Sequence, residues 1–384
     1  MTDCLDYRQP TPYLVDSTDY DDTYPTPVLT AGKTFVLGYT NEIDGVFDDD
    51  LPVIIFDDFT TASKYVDFPF KAKSSAMKIL IAKPGSQIKF VYEAMQRIDF
   101  QVGDHKRHWI SLYSKLQIPV PSSSDEQQKI ADCLSSIDKL ITAQAEKIEA
   151  LKAHKKGLMQ KLFPAEGETT PELRFPEFLQ CDSWRRKPIG ENIDFLSGYP
   201  FKSIQISKDS TGIPLLRGIN ITEGFIRHGK DIDRYYLGAI NEYKKYLTEE
   251  NDLVIGMDGS KVGKNSALIS KRDSGSLLIQ RVARLRASRF ETIQFIFQHI
   301  HSSLFHSYVD RINTSGGIPH ISASQIKTFE VAFPPSQSEI KKIADCLTSI
   351  DKLITAQAEK IEALKDHKKG LMQKLFPSIE EVNG

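Results

Sequence analysis

The chain has 384 residues, 40% of them hydrophobic and 26% charged, which excludes a largely disordered protein and leaves room for two or three domains. A formal net charge of −2 excludes a grip on nucleic acid through bulk positive charge, so any such binding must use local basic patches or a partner. The longest apolar run, Leu51 to Phe56, falls far short of the roughly 20 residues of a membrane helix, and Met1-Thr-Asp-Cys-Leu-Asp6 does not begin a secretory signal, so a cytoplasmic protein with no membrane partner is expected.

The first segment, residues 1–121, opens acidic, with Asp3, Asp6, Asp16, Asp19, Asp21, Asp22, Asp48, Asp49 and Asp50. Short apolar runs broken by Gly, Asn, Asp and Pro predict strands at Thr34–Gly38, Val53–Phe56 and Met77–Ala82. The segment 122–164 then changes texture: Lys129 to Pro164 has no internal proline before its end and is rich in Ala, Leu, Lys, Glu and Gln, the composition of a helix. The next segment, 165–334, returns to the first texture, with strands expected at Asp252–Gly256 and Ser266–Ser270 and a helical stretch over Thr292–Ile312. The last, 335–378, repeats the helix before a short tail, 379–384.

The repeat decides the architecture. Lys342 to Pro377 copies Lys129 to Pro164 at an offset of 213 residues with two changes, Ser135 to Thr348 and Ala153 to Asp366. Apolar positions step by fours and threes through Ile130, Leu134, Ile137, Ile141, Ile148, Leu151, Leu158 and Leu162, interrupted at Gln144 and Lys155. The second copy matches with Ile343, Leu347, Ile350, Ile354, Ile361, Leu364, Leu371 and Leu375. This spacing is that of a coiled-coil seam with polar register positions. Two such helices in one chain pair most naturally with each other, antiparallel. The expected fold is therefore α+β: two globular domains with mostly antiparallel sheet, separated by two long antiparallel coiled-coil helices, an internal duplication with pseudo-two-fold symmetry. The four cysteines form no C-x-x-C pair and fit reduced structural thiols, with no metal site expected.

Several stretches together resemble the specificity (S) subunits of type I restriction-modification systems. Pro121 to Asp138, and less completely Pro335 to Asp351, is similar to their conserved helical region. PVLTAGKTFVLGYTNE (Pro27 to Glu42) with FDDFT (Phe56 to Thr60) resembles one variety of their target recognition domain. RGINITEG (Arg217 to Gly224), Asp252 to Lys264 and SGGIPHIS (Ser315 to Ser322) resemble another. The start usual before such domains, echoed by Trp184 and Ile189-Gly190, is missing before residue 5, so the first domain is expected to be slightly shortened. The resemblance implies a non-catalytic reader of a bipartite double-stranded DNA target that docks two methyltransferase (M) subunits and restriction (R) subunits. It implies no cofactor in this chain, with S-adenosylmethionine, ATP and Mg in the partners.

DNA reading needs Lys and Arg for phosphates and bidentate side chains for base edges. In the second domain the expected contacts are Arg217 and Asn220, then Ser260, Lys261, Lys264 and Asn265 in the hairpin tip Gly259–Asn265, and Ser315 and His320 in another loop. In the first they are Thr30, Lys33, Thr60, Lys64, Lys73, Lys78, Lys106 and Arg107. The 259–265 loop is not a phosphate loop of the nucleotide-binding kind, since three residues separate its glycines where four are needed and Asn265 replaces Ser or Thr. Asp57-Asp58 reads as a turn element rather than a catalytic pair. The alternative from another class is a non-DNA coiled-coil scaffold, whose mark is the absence of salt-dependent DNA affinity.

Overall fold

A computed structural model describes residues 1–32, 34–100, 107–313 and 319–377. The chain divides into two compact units, Met1–Glu146 with Ala358–Gly384, and Lys147–Gln357. Unit 1 contains β1 (Leu5–Arg8), β2 (Thr26–Leu29), β3 (Val36–Thr40), β4 (Val53–Asp57), β5 (Ser63–Val66), β6 (Lys71–Ala72), β7 (Met77–Ala82), α1 (Ile88–Met95) and the start of α2 (Ser124–Leu162). Its strands form a sheet in the order β1-β7-β4-β5 and a smaller one, β3-β2-β6. Central strand β4 reads Val53-Ile-Ile-Phe56 because both its faces are covered. Ile54 and Phe56 join the core under α1 and α2, while Val53 and Ile55 join a second core with Leu29, Phe47 and Phe70.

Unit 2 contains β8 (Arg185–Pro188), β9 (Asp194–Ser197), β10 (Ile206–Ser207), β11 (Ile213–Leu216), β12 (Tyr235–Tyr236), β13 (Leu253–Gly256), β14 (Ser266–Leu268), β15 (Leu277–Leu278) and β16 (Val282–Arg286). These are followed by α3 (Phe290–Ile300), α4 (Ser303–Ile312), α5 (Ala323–Thr328), β17 (Glu330–Phe333) and the start of α6 (Gln337–Leu375), whose end belongs to unit 1. Its sheets run β14-β13-β16-β9, β10-β12-β11-β15 and β17-β8. Central strand β13 repeats the logic of β4, with Leu253 and Ile255 facing one core and Val254 another. Among the described strands the pairing is antiparallel except for β2 with β6 and β11 with β15. The helical stretch expected over Thr292–Ile312 is made of two helices, α3 and α4: Ser302 leaves helical geometry and its hydroxyl accepts from the Phe305 amide, so it caps α4 instead of continuing α3.

Helices α2 and α6 are 39 residues each, about 58 Å at 1.5 Å per residue. In unit 1, Ile130, Ala131 and Leu134 near the start of α2 share a core with Leu371, Met372, Leu375 and Phe376 at the end of α6. In unit 2, Met159, Leu162 and Phe163 at the end of α2 share a core with Ile340, Ile343, Ala344 and Leu347 at the start of α6. Start meets end in both units, so the helices are antiparallel. Ile130, Leu134, Ile137, Ile148, Leu162, Ile343, Leu347 and Ile350 are buried. Ile141, Leu151, Leu158, Ile354, Ile361, Leu364, Leu371 and Leu375 are half-buried. Among the described residues no helix is long and apolar enough to cross a membrane.

The seam's polar position explains itself in this register. The Lys155 ammonium lies 2.6 Å from Asp351 in unit 2, and Lys368 lies 2.8 Å from Asp138 in unit 1. Lys155 and Lys368 are the same place in the repeat, as are Asp138 and Asp351, so one contact is made twice. The domain walls behind the two pairs differ. In unit 1 the buried Glu93 of α1 lies 3.0 Å from both Lys368 and Lys89; in unit 2 the neutral Gln298 of α3 donates to Asp351 at 2.8 Å. Burial lowers the affinity of Lys368 for its proton, but hydrogen bonds to Asp138 and Glu93 outweigh it and its pKa is raised.

Candidate nucleic-acid interface

In unit 2, β13 and β14 pair as a hairpin whose connection, residues 257–265, projects from the sheet. Gly259 and Gly263 adopt positive φ, and a side chain on Gly263 would come within 2.9 Å of Val309 on α4, so this turn packs tightly on the domain behind it. The connection, the polar turn after β11 and the turn before β16 together enclose a notch of about 420 Å³. Arg217, Ile219, Ser260, Lys261, Gln280 and Arg281 line it. Lys261 pairs with Glu223 across exposed surface at 3.2 Å, a contact weak enough to exchange for a phosphate. Asn265 also lines the notch, whereas Lys264 turns to Asp310 on α4 at 3.3 Å. His320 is exposed and its backbone bridges to Asp258, another notch residue. Ser315 lies outside the described residues.

One expected contact in this domain is corrected. Asn220 is 1% exposed: its amide nitrogen donates to the Arg227 carbonyl and the Asp233 carboxylate, and its oxygen accepts from the Arg217 amide. It shapes the turn that presents Arg217 and is closed to a ligand. Gln280 and Arg281 went unmarked in the sequence. They are exposed between β15 and β16, and Arg281 holds a φ of 72° unusual for a side-chain-bearing residue. The legible signal was a Gln-Arg pair interrupting the apolar run Leu277-Leu-Ile and Val282-Ala.

In unit 1 the expected contacts are scattered. Thr60 and Lys64 are exposed at the β4–β5 hairpin, Lys73 is half-buried with its ammonium 5.6 Å from the Tyr20 ring centre, and Arg107 is exposed. The Thr30 hydroxyl donates to the Thr34 carbonyl at 2.6 Å. Lys33 and Lys106 lie outside the described residues. Lys78 is corrected: it is 1% exposed, with its ammonium 3.7 Å from the equally buried Asp58 and bonded to Gln9. Asp58 also accepts from the Trp109 amide at 2.8 Å, and Asp57 accepts from the amides of Phe59 and Thr60. The aspartate pair therefore organises a turn and a loop.

Two α+β units, each built against a duplicated antiparallel helix, together with a notch lined by Arg217, Lys261, Gln280 and Arg281, set the class in which this chain is compared with known proteins. The family model for the type I restriction modification DNA specificity domain matches residues 61–153 and 183–366, and the chain belongs to this family. The chain is 49% identical over 158 residues, 39% of each protein, to the EcoR124I/EcoR124II specificity subunit of Escherichia coli. It is 31% identical over 214 residues, 54% of this chain and 35% of the relative, to the Escherichia coli EcoAI specificity subunit. The chain thus spans well under half the length of these two curated relatives. In fold it is similar to the type I restriction-modification S subunit from M. genitalium, at a TM-score of 0.69 and 18% identity over 98% of this chain and 95% of that one.

Proposed function

We propose that this specificity chain reads a split, asymmetric double-stranded DNA target, one half with each globular unit, and supplies no catalysis itself. Methyl transfer with S-adenosylmethionine, and ATP- and Mg-dependent restriction, belong to methyltransferase and restriction subunits that it recruits. The observation that carries the reading is the notch of unit 2. Arginine, glutamine and lysine side chains converge there on a turn braced by sheet and helix, and Arg and Gln are the side chains that bond guanine and adenine edges bidentately. The two units bear unlike loops, so unlike half-sites follow. The near-identical faces of α2 and α6 supply two equivalent docking surfaces, and partner contacts add to the phosphate grip of a chain whose net charge is −2.

The test is co-expression with its methyltransferase partner and mapping of methylated adenines in genomic DNA. The expected motif has two different halves, and Gln280→Ala or Arg281→Ala relaxes base preference in one half only, at a cost of about 1–3 kcal/mol of discrimination per contact. A motif unaltered by both variants removes the notch from base reading. A stable complex lacking salt-dependent DNA affinity identifies a scaffold instead.

A further inference from the structure

A second cleft, of about 930 Å³, opens in unit 1 between β5, α1, α2 and the last turns of α6. Six cations line it, Lys64, Lys89, Arg97, Lys365, Lys368 and Lys369, against a single lining carboxylate, Asp138. Two are already committed. Lys89 and Lys368 share Asp138 and the buried Glu93 beneath them, and the Lys89 ammonium also lies over the rings of Tyr65 and Tyr92 at 4.7 and 4.8 Å. Lys365 pairs with exposed Glu362. The other three have no carboxylate among the described residues: Arg97 donates to the Phe376 carbonyl, and Lys64 and Lys369 are exposed. Among the described residues, positive charge in excess of its carboxylate partners therefore collects in one concave place on a chain of net charge −2. Concave walls of one sign focus the field on an anion.

The cations are interleaved with neutral donors, Gln96, Thr142 and Gln373, the mixed set that holds phosphate oxygens. Position favours a duplex as the source of those phosphates, because Lys64 lies on β5 only four residues beyond Thr60, in the turn that carries candidate contacts of the first domain. We infer that this cleft grips the sugar-phosphate backbone of double-stranded DNA beside the half-site read by unit 1. The grip is independent of sequence, and the inference rests on the DNA-reading function proposed above.

The test uses the full-length chain with its methyltransferase partner, a duplex carrying the methylated motif and a scrambled duplex, and measures affinity from low to moderate salt. Lys64→Gln with Lys369→Gln leaves the Glu93 network intact. The expected result is equal weakening on both duplexes, a log–log salt slope shallower by about 2, roughly one for each phosphate no longer neutralised, and an unchanged methylation motif. Lys64→Glu weakens binding to both duplexes more than Lys64→Gln does. A wild-type slope retained by the double variant overturns the inference, as does a loss confined to the motif duplex or a loss of partner assembly with DNA affinity intact. A wild-type complex lacking salt-dependent affinity for either duplex removes the underlying function, which distinguishes that failure from failure of the cleft alone.

Discussion

Lys155 and Lys368 occupy the same place in a repeated sequence, yet removing them should not cost the same. In Lys368→Met the fully buried Glu93 loses one of two lysines, and Asp138, 37% exposed, loses its close partner. Breaking a buried pair by deleting one side costs about 3–5 kcal/mol, a range reduced here because Asp138 is partly solvated and Lys89 stays 3.0 Å from Glu93. About 2–3 kcal/mol remains. In Lys155→Met the neutral Gln298 still donates to Asp351, itself 32% exposed, so the loss is about 1 kcal/mol. The pKa of Lys368 is raised in the fold, so its contribution is fully present below the unfolded value near 10.5 and is lost as pH rises past the folded one; assays at neutral pH see all of it. Each unit contains one tryptophan, Trp109 and Trp184, both buried, so urea unfolding followed by fluorescence in Trp184→Phe and Trp109→Phe backgrounds reads the units separately. Adding Glu93→Gln to Lys368→Met should recover about 1 kcal/mol or more by removing the stranded charge. Equal costs for the two lysines, or no recovery, would refute the assignment of the difference to Glu93.

Arg174 grips Glu339, which is fully buried at the start of α6, through two bonds of 2.7 and 2.8 Å, so Arg174→Ala should destabilise unit 2 by about 3–5 kcal/mol, read from the Trp184 transition. Burial lowers the imidazole of His299 to about 3 and that of His301 to about 4. Both must stay neutral in the fold, so unit 2 should hold its stability above pH 6.5 and lose it as pH falls towards 4, because the unfolded chain takes up the protons. His299 stacks on Phe163 at 3.9 Å, and His299→Phe should flatten that loss by up to about 1.4 kcal/mol per pH unit; an unchanged pH profile contradicts this. If the length of the paired helices sets the gap between the two half-sites, inserting four residues into α2, about 6 Å of helix, should lengthen the unread spacer of the methylated motif without altering its halves; an unchanged spacer refutes that dependence.

The sequence was most informative where one physical term dominates. The strands β4 and β13 were legible because four consecutive apolar residues suit a strand covered on both faces, and the helical repeat announced itself by period. The two-residue strands β6, β10, β12 and β15 carry no period to read, and Ile88–Met95 mixes β-branched and aromatic residues that mask a helix held by the core of unit 1. Lys78 and Asn220 looked like surface groups because their partners, Asp58 and Asp233, are joined to them by the fold and not by sequence spacing. The notch was half visible: Arg217, Ser260, Lys261 and Asn265 were expected, whereas Gln280 and Arg281 reach it only because β11 pairs in parallel with β15, setting the turn that follows β15 beside the one that follows β11.

The doubled lysine–aspartate contact has a consequence for how such a chain can change. A seam that is its own complement reads the same from either end, as a palindrome does, so copying one helix over the other in the gene leaves both contacts intact. What must co-adapt is the core that each unit shares with the helix ends and the wall it sets behind the contact, a carboxylate with a second lysine in one case and a plain amide in the other. The remaining surface of each unit can thus diverge while the repeated helices are kept uniform.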